Sequence, residues 1–169
     1  MSDVALEINT VVGRIFYLSR QYDQSIDAYR KVIDLDPHYV RAHARLGMTY
    51  AAAEIFGDAV REFEESQRLS GSDRYLQGLT GYAYAKSGNI AGAHELLGEL
   101  NQRSRQQDVR AFGLALICIG LGKSEEALTW LTKSYEDRSS YMAYAKTDPL
   151  LDPVRPNQRF AALLRQMGL

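Results

Sequence analysis

The segments "YDQSIDAYRKVIDLDP" (Tyr22–Pro37) and "FGDAVREFEESQRLSG" (Phe56–Gly71) decide how this chain is read. Each is an amphipathic helix pattern closed by a proline or glycine stop, and the second begins 34 residues after the first. The phase extends outward in both directions. Glycine stands at Gly13, Gly47 and Gly81, and Ala115 follows. A second small column holds Ser25, Ala59, Ala93 and Ala127. An aromatic column holds Phe16, Tyr50 and Tyr84, then Cys118. A fourth holds Tyr29, Phe63, Leu97 and Leu131. Four columns in one phase, with no insertion, mark an internal repeat.

Each unit reads as two amphipathic helices. Small residues such as Gly47 and Ala59 allow the two helices of a hairpin to approach, and large ones such as Tyr50 and Phe63 fill the surrounding space. One hairpin cannot hide its own apolar face, so neighbours stack and share a core. The pattern predicts helices over 5–18, 22–35, 39–52, 56–69, 73–86, 90–103, 108–120 and 124–136. Gly88 and Gly122 fall between paired helices, where left-handed backbone is needed.

These columns resemble the tetratricopeptide repeat (TPR) family: small residue, aromatic, alanine, aromatic, then an exit proline. Gly13–Phe16–Ser25–Tyr29–Pro37 and Leu46–Gly47–Tyr50–Ala59–Phe63 carry the resemblance most clearly. Gly81–Tyr84–Ala93–Leu97 follows, and Leu114–Ala115–Cys118–Ala127–Leu131 is degenerate but in phase. Asn9, His43, Gln77 and Ala111 stand where the family carries a tryptophan-like residue. The resemblance implies an all-α, right-handed superhelical solenoid of four TPR hairpins plus a C-terminal capping helix. The units would be 6–39, 40–73, 74–107 and 108–141, followed by a turn-and-cap segment over 142–169.

The period stops after Tyr141. Two Asp-Pro steps, Asp148-Pro149 and Asp152-Pro153, are expected to force extended or turning backbone. A last helix starts near Pro156 or Asn157, with Phe160, Leu163, Leu164 and Met167 on one face and Gly168 as its stop. Burying those four side chains is worth roughly 6–12 kcal/mol as an upper bound, so an ordered cap is expected rather than a loose tail. Together with Arg155 and Arg159-Phe160, this ending resembles the C-terminus of bacterial multidomain signalling proteins. In those, a TPR array follows a winged-helix DNA-binding domain, a kinase domain or a cyclase domain. The resemblance implies bacterial signalling or regulation.

Composition excludes several classes. At 169 residues, 46% hydrophobic and 24% charged, the chain suits one folded domain or one compact array. Its net charge of −1 gives no nucleic-acid footprint, so no nucleic-acid partner is expected. No apolar run is long enough for a bilayer, and "MSDVALEINT" lacks a signal-peptide pattern. With the lone Cys118, this fits a reducing, cytoplasmic setting and no membrane partner.

No motif carries chemistry. "GLGK" (Gly120–Lys123) lacks the glycine spacing and preceding strand of a phosphate loop, and reads as a turn. His38, His43 and His94 have no metal-ligand spacing. Cys118 stands in a packing column. The carboxylates of "EFEES" (Glu62–Ser66) read as a solvated face, with Arg61–Glu65 and Glu64–Arg68 pairs. No catalytic residue, cofactor or metal is therefore expected.

What remains is binding. The positions that the family uses to line its groove hold Arg14, Tyr17, Arg41, Met48, Tyr75, Tyr82, Lys86 and Phe112 here. Alanines 44, 51, 52 and 85, with Gly78, leave room between them. Val109, Phe112, Leu116 and Ile119 are apolar, and the tail is expected to occupy that end. Tyrosine offers contact area with a polar tip and arginine holds carboxylates. The expectation is a non-catalytic scaffold that binds a peptide or protein carrying apolar anchors and an acidic group. The rival is a self-association arm forming a homo-oligomer.

Overall fold

The computed structural model describes residues 3–71, 73–104 and 111–169, and these form helices, turns and short connections with no strand among them. The chain divides into two compact units, Met1–Ser72 and Asp73–Leu169.

The first unit contains α1 (Asp3–Leu18), α2 (Tyr22–Leu35), α3 (Val40–Ala52) and α4 (Phe56–Ser70). Consecutive helices pack on one another, α1 with α2, α2 with α3 and α3 with α4. The glycine column explains the close hairpins. A Cβ on Gly13 would lie 2.8 Å from the ring of Tyr29, and one on Gly47 would lie 2.6 Å from the ring of Phe63. Each glycine therefore receives the aromatic ring that the opposing helix presents. Both rings are fully buried, with Val32, Ala42, Leu46 and Ala59 among the other core side chains. Ser25 fits the small column and adds a polar tie: its hydroxyl donates to the Gly13 carbonyl at 2.9 Å and lies 3.0 Å from Thr49 Oγ1.

The second unit contains α5 (Arg74–Ser87), α6 (Ile90–Ser104), α7 (Ala111–Gly120) and α8 (Ser124–Glu136). Two 3-10 helices (Ser140–Tyr144 and Pro149–Val154) and α9 (Gln158–Gln166) complete it. Here the glycines act differently. A Cβ on Gly81 would meet Ile117 of α7 at 2.6 Å, and one on Gly78 would meet Gly113 Cα at 2.4 Å. Gly78 thus leaves no vacant room; it admits the backbone of α7. The apolar centre joins Ala85, Ala93, Leu100, Leu114 and Ile117, with Tyr84, Leu97 and Trp130 packed against it. Residues Ala111 to Ile119 of α7 are all buried.

The turns obey one rule. Arg20, Glu54, Gly88 and Gly122 all have positive φ and follow one another at 34-residue steps. At three of them the next residue's N–H reaches back to a carbonyl five positions earlier: Gln21 to Phe16, Ile55 to Tyr50 and Lys123 to Cys118. That is the Schellman closure, which satisfies carbonyls left over at a helix end. Arg138 repeats it after α8, with Ser139 N–H on Ser134 O. The "GLGK" stretch is one of these turns.

The tail departs from the sequence reading at one point. Asp148 is extended and accepts from the Leu150 N–H, as an Asp before proline should. Asp152-Pro153, however, lies inside the second 3-10 helix, where the proline has no N–H to donate and the Arg155 N–H closes the turn on Asp152 O at 3.1 Å. Asn157 then caps α9 by accepting from the Arg159 N–H at 2.9 Å. Pro149, Leu150, Leu151, Val154, Phe160 and Leu163 are buried, so the segment packs on the unit; of the four side chains expected on the buried face of α9, Leu164 and Met167 are only half-buried. Arg155 clasps it: its guanidinium donates to Lys146 O at 2.5 Å, Asp148 O at 2.9 Å and Asp152 Oδ1 at 2.5 Å. Outside the segment, Glu125 of α8 takes Arg159 at 2.5 Å and Asn157 at 3.0 Å.

Candidate protein-binding face

The eight residues expected to line a groove divide by exposure. In the first unit Arg41 is exposed and Arg14 half-buried, whereas Tyr17 and Met48 are buried. In the second unit Lys86 is exposed, Tyr75 is half-buried, and Tyr82 and Phe112 are buried. Val109 lies outside the described residues.

Charge in the first unit converges on one carboxylate. Glu7 of α1 accepts from Tyr39 Oη at 2.7 Å and from Arg41 Nη1 at 3.3 Å. Glu7 and Arg41 are 54% and 60% exposed, so the pair is open to solvent and weak. The hydrogen bond to Glu7 holds the Tyr39 phenol above its ordinary value, with partial burial adding to the effect. Glu7 and Tyr39 were missing from the sequence-based set. Their signal was the phase itself, because Glu7 precedes Arg41 by one repeat.

An aromatic cluster marks the second unit. Tyr141, from the first 3-10 helix, stacks on Tyr75 with centroids 4.0 Å apart and planes 19° apart. Phe112 lies 5.6 Å from Tyr141 and 6.2 Å from Tyr75. Two of the expected groove residues thus already carry an aromatic partner from the 3-10 helix that follows α8.

Several other titratable groups make local ties. His43, at the tryptophan-like position, has Glu62 Oε2 2.7 Å from Nδ1 and Pro37 O 3.0 Å from Nε2, which ties the start of α3 to α4. Glu62 is therefore not part of a purely solvated face. Near it, Asp58 pairs with Arg61 and Glu65 with Arg68, both at three-residue spacing. Burial, with Glu126 adding to it, pushes the Cys118 thiol up to about 11, the reverse of an activated nucleophile. Among the described residues no three His, Cys, Asp or Glu side chains gather as a metal site, and no helix is long and apolar enough to cross a membrane.

Residues 13–53 match the family model of the TPR repeat. The match runs from the glycine of α1 through α2 and α3, the stretch that holds the Gly13–Tyr29 contact, and it supports the TPR family for this chain. No curated protein matches the chain. TPR repeats are in general protein–protein interaction modules, and their all-helical fold is typically a non-catalytic scaffold.

Proposed function

We propose that this protein is a non-catalytic scaffold that binds an acidic peptide or protein segment through the groove-facing positions of its repeats. The observation that carries this reading is the convergence of Tyr39 and Arg41 on the Glu7 carboxylate. Arg41 is 60% exposed and reaches Glu7 only through Nη1 at 3.3 Å, so its guanidinium fork can also take a carboxylate brought by a partner. Arg14, Arg41 and Lys86 are the polar contacts in this proposal. Tyr17, Met48, Tyr75, Tyr82 and Phe112 supply the apolar wall and, where buried, its support. The four-unit division over 6–141 and the cap over 142–169 belong to the same proposal. A cytoplasmic role in bacterial signalling or regulation rests on the resemblance of the Asp148–Leu169 ending.

The test is quantitative capture from source-cell lysate with wild type and Arg41→Glu, after circular dichroism shows equal helicity. A partner held by wild type and lost by the variant supports the reading. Equal recovery by both overturns the role of this face.

A further inference from the structure

One face of α1 has no partner within the first unit. Val4, Ile8, Val11 and Ile15 are 63%, 58%, 55% and 57% exposed. Their spacing of 4, 3 and 4 residues sets them in one stripe, opposite the buried Thr10, Gly13 and Tyr17. The other large exposed apolar side chains, such as Leu35, Ile55 and Ile90, are scattered one to an element and need no explanation. Four β-branched residues aligned on one helix do need one.

We propose that this stripe is a homodimer seam in which α1 packs antiparallel against α1 of a second copy. Two features select a second copy over any other occupant. The first is the spacing, which reads the same from either end of the helix. An antiparallel copy therefore sets Val4 against the partner's Ile15 and Ile8 against the partner's Val11, and the two-fold axis repeats both layers. This is the self-complementary contact that a closed two-fold dimer requires. It also follows the alternating three- and four-residue spacing of a helical seam. The second is the border of the stripe. Glu7 and Arg14 flank one side, and Ala5 and Val12 flank the other. In the antiparallel register Glu7 approaches the partner's Arg14, twice by symmetry, while Ala5 meets the partner's Val12. A parallel pair would set each charge beside an apolar flank, so charge complementarity fixes the direction. Glu7 keeps its contacts with Tyr39 and Arg41, and the partner's Arg14 joins the same carboxylate.

Four seam side chains and two short flanks make a small contact, below the ~1,200 Å² total typical of stable interfaces. The dimer is therefore dynamic, with a dissociation constant on the order of tens of micromolar.

Sedimentation velocity on the whole chain from about 5 to 500 µM tests this without any other partner, so its failure is separate from failure of the groove reading. The expected result is a concentration-dependent shift from monomer to dimer. Ile8→Lys/Val11→Lys should remove it with helicity unchanged, because both positions are exposed. Glu7→Lys and Arg14→Glu should each weaken it about tenfold, and the double variant Glu7→Lys/Arg14→Glu should restore it. A wild-type chain that stays monomeric throughout overturns the proposal. Dimer retained in Ile8→Lys/Val11→Lys overturns the seam, and single-charge losses that the double variant does not restore overturn the antiparallel register.

Discussion

Gly78→Ala and Gly98→Ala add the same methyl group to the interior of two helices in the same unit, and they should have opposite effects. Both gain helix propensity of about 1 kcal/mol, because glycine is the more disordered residue in the unfolded chain. At Gly98 nothing lies within 4 Å of the added Cβ, so the gain stands alone. At Gly78 the Cβ would lie 2.4 Å from Gly113 Cα, 2.8 Å from its O and 2.9 Å from its carbonyl carbon. Carbon atoms rest about 3.5–4.0 Å apart, so α5 and α7 must separate by about 1 Å. The opposing atoms are backbone, so no rotamer change relieves the contact. Overpacking costs about 1–3 kcal/mol, and a backbone clash belongs at the upper end. The net expectation is a loss of about 2 kcal/mol for Gly78→Ala and a gain of about 1 kcal/mol for Gly98→Ala. For a chain of this length the melting temperatures should then differ by roughly 6–12 °C. Thermal and urea unfolding followed by far-ultraviolet circular dichroism measure both. A Gly78→Ala protein as stable as wild type would refute the close crossing of α5 and α7.

Three further perturbations probe other contacts. Tyr29 Oη is buried without a hydrogen-bond partner, and burial pushes its phenol up to about 12; Tyr29→Phe should hold stability or raise it by up to ~1 kcal/mol in urea titration, and a loss beyond that range would mean that the hydroxyl is satisfied. Arg155→Ala removes a guanidinium that binds two carbonyls and one carboxylate; it should cost about 2–3 kcal/mol and speed proteolysis within 142–169, with Arg155→Lys recovering only part because an ammonium cannot span the three sites. Arg159 and then Asn157 hold the Glu125 carboxyl below its ordinary value of 4.5; a lowered carboxylate stabilises above its unfolded value and loses that contribution as pH falls through the folded one, so a stability gap between wild type and Glu125→Gln at pH 7 should close below about pH 4.5, whereas a constant gap would argue against the pair.

The helices were legible in the sequence because a 34-residue phase carries four independent columns. Their observed spans agree with expectation to within two residues where both ends are described, and those of α2 and α8 coincide with it. The turn column was only half legible. Gly88 and Gly122 announce left-handed backbone, but Arg20 and Glu54 hold the same conformation and carry no such signal. Gly81 shows a second limit. Its phase fixes where it sits along α5 but not which helix faces it, and the neighbour is Ile117 of α7 rather than a side chain of α6. The candidate face was less legible still. An aromatic at a groove position and one in the core have the same letter and the same period, so Tyr17, Tyr82 and Phe112 could not be sorted before their burial was known. The α1 stripe escaped notice for the related reason that periodicity locates apolar residues without showing which of them have neighbours. Arg155 stood out only through the resemblance of the ending; its clasp gave no pattern, because its three acceptors lie three to nine residues back at no regular spacing.

The packed ending limits where a further hairpin can be joined to α8. In the first unit each new pair begins by laying its first helix on the second helix of the pair before it, as α3 does on α2. The matching surface on α8 is already occupied, by both 3-10 helices and by α9. A fifth hairpin spliced after Glu136 would have to displace Phe160, Leu150 and Leu151 from buried positions. A hairpin added directly after α8 therefore has to displace residues 142–169, whereas one added elsewhere leaves them in place.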